Sequence, residues 1–203
     1  MFYARIQFNN YNGFMEAMKR VHSHSFNVNT IHNLVYSIFP RKDENESKAK
    51  LSSFDAEEIF NDENMNGCIY IASKEKPENP QINGVNFDII EKDENSIEEN
   101  MKFNINVNIC CSKQKNGKEF PIKNVDDAYK FIIEKFEKNG MKVINCNIEN
   151  FYKKEVDGKK NHCANVAKCN AYIEVTDKEK FKQALITGLG RQTTYGLGMI
   201  KLF

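Results

Sequence analysis

Residues 101–109 alternate strictly: Phe103, Ile105, Val107 and Ile109 fall on one face, Asn104, Asn106 and Asn108 on the other. A period of two over this length predicts a strand buried on one side. Asn124 then stands where a helix cap is needed, with Asp126 and Asp127 in the first turn, where the helix dipole favours negative charge. Val125, Ala128, Ile132 and Phe136 recur at helical spacing until Asn139-Gly140 ends the run. Residues 141–148 read as a strand. Residues 151–154 and 163–175 flank Asp157-Gly158, a hairpin signal. Thr176 or Asp177 caps a short helix carrying Phe181, Ala184 and Leu185, Gly188 follows as its C′ residue, and residues 196–203 close as a strand. The order β-α-β-β-α-β is the ferredoxin-like arrangement.

The first half repeats this less clearly. Residues 2–8 form a strand. Residues 27–39 form a helix capped by Asn27 or Asn29 and stopped by Pro40, with Ile31, Leu34, Val35 and Ile38 as its apolar stripe. Residues 51–60 and 68–72 read as strands around the Asn64–Gly67 turn, residues 74–80 as a loop, and residues 93–100 as an acidic linker. No second helix is evident. The expected architecture is α+β, two tandem ferredoxin-like (RRM-like) units with the first degraded, divided as 1–95 and 96–203.

Charge sharpens this division. Residues 1–100 hold 10 Lys and Arg against 17 Asp and Glu, while residues 101–203 hold 19 against 11, so a net charge of +1 conceals an acidic half and a basic half. An anionic partner would choose the second. Hydrophobic residues make up 40% of the chain, enough for a core, and no apolar run approaches the length of a membrane span. The first ten residues lack the apolar stretch of a signal peptide. The six cysteines fit no disulfide framework, so a reduced, cytoplasmic protein with no membrane role is expected.

The segment Gly188-Leu-Gly-Arg-Gln-Thr-Thr-Tyr-Gly-Leu-Gly198 holds four glycines around Arg191, Thr193 and Thr194. Glycines let backbone N–H groups approach a phosphate with no Cβ in the way. No Lys-Ser/Thr follows, so it is not a Walker A loop, and the third glycine of a dinucleotide fingerprint is replaced by Thr193. Basic residues cluster in two turns: Lys113, Lys115 and Lys118 in one, Lys153, Lys154, Lys159 and Lys160 in the other. Histidine occurs at four positions, His22, His24, His32 and His162. His32 lies one turn before Tyr36 at the edge of the helical stripe.

The glycine-rich ending after a short helix resembles the repeat-associated RNA-processing nucleases of CRISPR systems, most of all the CasE-type endoribonuclease of the Cascade complex. Residues 1–8 resemble that family's first strand. The stretch His32-Asn-Leu-Val-Tyr-Ser-Ile-Phe-Pro40 is similar to its helix motif, and residues 102–121 to its strand and basic turn. The resemblance implies two ferredoxin-like units and a metal-independent endoribonuclease that cuts CRISPR precursor RNA at repeat hairpins. It implies no cofactor, and other Cascade subunits as partners.

His32 aligns with the family's catalytic histidine, with Tyr36, His24 and His22 as secondary candidates. The expected RNA contacts are Lys113, Lys115, Lys118, Lys153, Lys154, Lys159, Lys160, Gly190, Arg191, Thr193 and Thr194. Asn29 and Asn33 stand where some relatives carry tyrosine and a basic residue, so the second catalytic group stays open among Tyr36, Ser37 and a lysine. Asn104 and Asn106 replace the family's basic strand residues. Rival readings are a non-catalytic RNA-binding subunit, a zinc site around Cys110, Cys111, His162, Cys163 and Cys169, and a small-molecule phosphate site at the glycine loop. Adjacent cysteines on a strand point to opposite faces and do not match zinc spacing.

Overall fold

The computed structural model describes residues 1–9, 11–22, 28–39, 52–56, 67–116, 118–155 and 163–203. In it the alternating run of the second half is strand β5 (Lys102–Cys110), with Ile105, Val107 and Ile109 buried. β5 pairs with β9 (Cys163–Val175) and β10 (Lys201–Leu202), and β9 pairs with β8 (Met141–Glu155), every pair antiparallel. The sheet order β10-β5-β9-β8 is the 4-1-3-2 order of a ferredoxin-like unit. Helices α3 (Val125–Lys138) and α4 (Lys178–Thr187) cover its apolar face, where Phe136, Ile132, Phe181 and Leu185 are fully enclosed. The caps are those expected: the Asn124 side chain accepts from the Asp127 N–H, and the Asp177 carboxylate accepts from the Lys180 N–H.

Three expectations for this half need correction. Val125 is 48% exposed, and Phe131 fills the core position in its place. Residues 141–155 form one long strand, whose register shifts at 143–145 and 148–150 absorb the break read from the sequence. Residues 196–200 are not strand, because Gly198 turns with φ of +81° and gives its N–H to the Asn108 carbonyl before pairing resumes at Lys201. The basic turn at 113–118 folds as a small hairpin, β6 (Ser112–Lys115) with β7 (Lys118–Pro121).

The first half contains β1 (Phe2–Phe8), α1 (Tyr11–Arg20), α2 (Val28–Ser37), β2 (Ser52–Ala56), β3 (Gly67–Ser73) and β4 (Val85–Glu91). Its sheet order β2-β3-β1-β4 is again 4-1-3-2. Residues 74–84 between β3 and β4 hold no helix, which is where this copy departs from the second. α1 and β4 were not anticipated. α1 buries Phe14, Ala17 and Met18 at helical spacing, although Gly13 in its first turn disfavours a helix. Glycine is needed there because a Cβ would stand 2.1 Å from the Gly84 carbonyl oxygen. The expected strand over 51–60 is described only at Ser52–Ala56, and the turn residues 64–66 lie outside the described residues.

Residues 93–100 are docked rather than free. Ile97 is buried in the second core, Asn100 N–H donates to the Val175 carbonyl at 2.8 Å, and Lys178 lies 2.8 Å from Glu98, holding that carboxyl below its usual range. The two sheets meet at a polar contact. The Asp55 carboxylate on β2, 3% exposed, lies 2.9 Å from Lys201 Nζ on β10. The Asn108 amide on β5 reaches the same carboxylate at 3.3 Å. Lys201 Nζ also stands 5.6 Å from the Tyr70 ring centroid.

Removing one partner of such a buried pair leaves an uncompensated charge. Asp55→Ala is therefore expected to lower the unfolding free energy by about 3 kcal/mol in urea titration. Asp88→Ala, which breaks the exposed Arg5–Asp88 pair, is expected to leave the midpoint nearly unchanged. Equal effects from the two substitutions would contradict the assignment of Asp55 as a buried anchor.

Candidate active site

Helical spacing on α2 stacks His32 one turn before Tyr36, with ring centroids 4.4 Å apart at 49°. The imidazole also meets Tyr195, at 5.7 Å and 30°. Tyr195 belongs to the glycine loop, in a short 3-10 turn, Thr193–Tyr195. The half-buried histidine thus contacts a tyrosine of its own helix and one from the far end of the chain.

The loop is pinned at its base. Leu189 N–H donates to the Gly198 carbonyl at 2.7 Å, and Gly198 N–H donates to the Asn108 carbonyl at 2.6 Å. A Cβ at Gly198 would lie 2.2 Å from the Leu189 carbonyl oxygen, so no side chain fits there. Leu189 and Leu197 are fully buried and anchor the two ends. Residues 190–196 form the excursion between them, closed internally by Tyr195 N–H donating to the Gln192 carbonyl at 2.9 Å.

Several of the expected RNA contacts converge at this end of the second sheet. Leu197 packs with Cys110, Ala164 and Val166, and with Tyr152 beside them. This joins the loop to the tip of the β8–β9 pair, where Lys153 is exposed and Lys154 half-buried. Arg191 lies 3.5 Å from Glu119 of β7, which ties the loop to the hairpin carrying the exposed Lys113. Gly190 is exposed with φ of +83°, and Thr193 is half-buried. The side chains of Lys115, Lys118 and Thr194 lie outside the described residues, as do His24, Lys159, Lys160 and His162 entirely. His22 is exposed in the turn that ends α1, with its N–H bonded to the Lys19 carbonyl. The Tyr36 hydroxyl oxygen is buried.

Sequence reasoning missed Tyr195, Glu119 and Asp55. The signal for Tyr195 was an aromatic residue placed just before the glycine that closes its turn. Cys110 and Cys111 offer no nucleophile: both are buried, and burial pushes the Cys111 thiol up to about 12. Cys110 and Cys111 also pack into separate clusters, which splits the zinc set imagined around them. Among the described residues no three His, Cys, Asp or Glu side chains stand close enough to hold a metal ion. No helix among them is long and apolar enough to cross a membrane. The arrangement is an imidazole in contact with two aromatic rings, beside a backbone-rich loop and a cationic sheet end. It suits proton transfer at a bound phosphodiester.

The fold and site define a mixed α/β protein of two tandem ferredoxin-like units, with an imidazole set against a glycine-rich loop. The chain belongs to the CRISPR associated protein family, whose model matches residues 1–203. It is similar to the CRISPR endoribonuclease Cse3 bound to a 19-nucleotide RNA, with a TM-score of 0.78 at 14% identity, covering 100% of both chains. It is also similar to the CRISPR-associated protein Cas6e from Escherichia coli K-12, with a TM-score of 0.71 at 9% identity over 100% of this chain and 98% of that one. A chain of a CRISPR RNA-guided surveillance complex aligns with a TM-score of 0.63 at 10% identity, over 100% of this chain and 98% of that one. No curated protein matches the sequence.

The loop geometry makes a direct prediction. A residue with a Cβ at such a backbone conformation costs about 1–3 kcal/mol, so Gly198→Ala is expected to lose at least that much stability. It should also move the His32 imidazole Hε1 resonance in NMR spectra in the same direction as Tyr195→Ala does when measured beside it, because both changes withdraw the Tyr195 ring. Wild-type stability with an unmoved resonance in Gly198→Ala would contradict the described loop.

Proposed function

We propose that this chain is a metal-independent endoribonuclease, needing no cofactor, that cuts CRISPR precursor RNA at repeat stem-loops to give mature CRISPR RNA. The observation that carries the reading is the meeting of His32 with Tyr195 of the glycine loop. It joins the chain's best-placed proton-transfer group to its best-placed phosphate cradle. Family membership and the fold shared with Cse3 and Cas6e support the same reading. The likeness to a chain of a surveillance complex supports assembly with other Cascade-type subunits. We divide the chain near residue 95, so that the first unit supplies the histidine and the second the grip on phosphate.

RNA brings its own nucleophile. Splaying the scissile nucleotide until the 2′-oxygen lines up with the leaving 5′-oxygen supplies much of the rate through orientation. One group takes the 2′ proton as the 2′-oxygen bonds to phosphorus. The bond from phosphorus to the 5′-oxygen breaks, and a second group gives that oxygen a proton. The products are a 2′,3′-cyclic phosphate and a 5′-OH. His32 performs one of these transfers, a contribution of about 10²–10⁴-fold. Tyr195 and Tyr36 clamp the imidazole, and Tyr195, on the loop that holds the phosphate, takes the second role that the sequence left open. Backbone N–H groups at Gly190 to Thr194 and the Arg191 guanidinium stabilise the extra negative charge in the transition state. Arg191 exchanges its 3.5 Å contact with Glu119 for the phosphate.

The hairpin is gripped by shape and phosphates, because A-form RNA hides its base edges in a deep major groove. Lys113, Lys115, Lys118, Lys153, Lys154, Lys159 and Lys160 serve that grip. The deciding experiment is a gel assay with purified protein and the host's repeat RNA in EDTA, wild type beside His32→Ala. A discrete cut by the wild type, slowed at least about 10²-fold in the variant while binding persists, is expected. Tight binding with no cut by the wild type would make the chain an RNA-binding subunit and His32 a structural residue.

A further inference from the structure

The helix-free face of the second sheet carries a cavity that the proposed active site does not use. Its volume is about 370 Å³, within the range of roughly 300–1,000 Å³ typical of small-ligand sites. Asn104, Asn145, Asn147, Asn170, Tyr172 and Phe203 line it. Strand register sets them in two adjacent rungs: Tyr172 is flanked by Asn104 and Asn145, and Asn170 by Asn106 and Asn147. Asn104, Asn145 and Asn147 are exposed, so their amides face solvent. Asn170 is held in place, accepting from the Asn106 amide at 2.6 Å and donating to Glu149. Tyr172 is 38% exposed and Phe203 78%.

No charged side chain lines this cavity. Of the cations nearby, Lys102, Lys168 and Lys201 are engaged with Glu174, Glu149 and Asp55, and the exposed Lys142, opposite Glu174, lies one rung outside the lining. The face therefore does not select phosphate. A carboxamide presents a donor and an acceptor in one plane, which matches the edge of a nucleobase. An exposed aromatic ring matches its flat side. Tyr172 sits on a central strand of a 4-1-3-2 sheet, the position from which such sheets stack unpaired bases.

We propose that this face is a subsite for an unpaired nucleobase of the RNA, stacked on Tyr172 with Phe203 beside it, and hydrogen-bonded by Asn104, Asn145 and Asn147. The choice of RNA as occupant rests on the nuclease reading above. The subsite would hold single-stranded sequence flanking the repeat hairpin, while the cationic end of the sheet holds the stem.

Two measurements separate this proposal from the nuclease reading. One is fluorescence anisotropy with labelled rA8, rU8 and rC8. The other is single-turnover cutting of a repeat hairpin trimmed of its single-stranded flanks. Wild type is expected to bind at least one octamer. Tyr172→Ala should weaken that binding roughly tenfold and Tyr172→Phe should keep it. The deficit should be equal at about 50 and 200 mM salt, since stacking releases no counterions. Trimmed-hairpin cutting should be unchanged. Asn104→Ala and Asn147→Ala, at exposed positions, carry the same test should Tyr172→Ala fail to fold. Normal hairpin cutting with octamer binding indifferent to all these variants would overturn the subsite and leave the nuclease standing. Tyr172-dependent octamer binding with no hairpin cutting would keep the subsite and overturn the nuclease. A face that no octamer occupies but a second protein covers would reassign it to a protein partner and overturn the proposal.

Discussion

The buried pair of Asp55 and Lys201 is the constraint on which the site depends. Lys201 comes three residues after Gly198, so the ion pair that bridges the two sheets also fixes where the glycine loop ends. Asn108 links the two functions. Its amide reaches the Asp55 carboxylate, while its carbonyl accepts the Gly198 N–H. The contact between sheets and the base of the loop are thus one hydrogen-bonded assembly. That assembly carries Tyr195 onto His32, which belongs to the other half of the chain. A charged pair this deeply buried is costly unless every partner is present, which makes the arrangement intolerant of small displacements.

The second sheet divides its polar surface by chemistry. Its end, where β6–β7, the tip of β8–β9 and the glycine loop converge, concentrates lysines and Arg191. Its open face, two rungs away, carries amides and aromatic rings. The first kind of surface suits the phosphates of a stem, and the second suits bases with no pairing partner. The asparagines at 104 and 106, which looked like lost RNA contacts against the family's basic strand, belong to the second kind. Asn106 orients Asn170, and Asn104 faces the cavity.

The second unit was legible because its signals agree at several levels. Strict alternation in β5, side-chain caps at Asn124 and Asp177, and a glycine at the C-cap of α4 all pointed to one order of elements. The first unit was harder because local and tertiary demands conflict. Gly13 is poor helix chemistry, and it is there for the close approach of Gly84. β4 pairs along the whole of β1, yet its residues only alternate between half-buried and exposed, and two exposed residues end it. The meeting of His32 with Tyr195 depends on how two units dock, and no spacing along the chain encodes that. Asp55 read as one more acidic residue of an acidic half, because burial of a carboxylate is visible only once its partner is in place.

At the centre of the account is an RNA that supplies its own nucleophile, held by the loop beside His32. The most direct test uses a repeat hairpin with a single 2′-deoxy nucleotide at the scissile position, compared with the all-ribose hairpin in EDTA. The account predicts equal binding, no cut in the deoxy substrate, and a 2′,3′-cyclic phosphate end on the product of the ribose one. Cutting of the deoxy hairpin at the ribose rate, or products ending in 3′-OH and 5′-phosphate, would mean that water is the nucleophile and would contradict it.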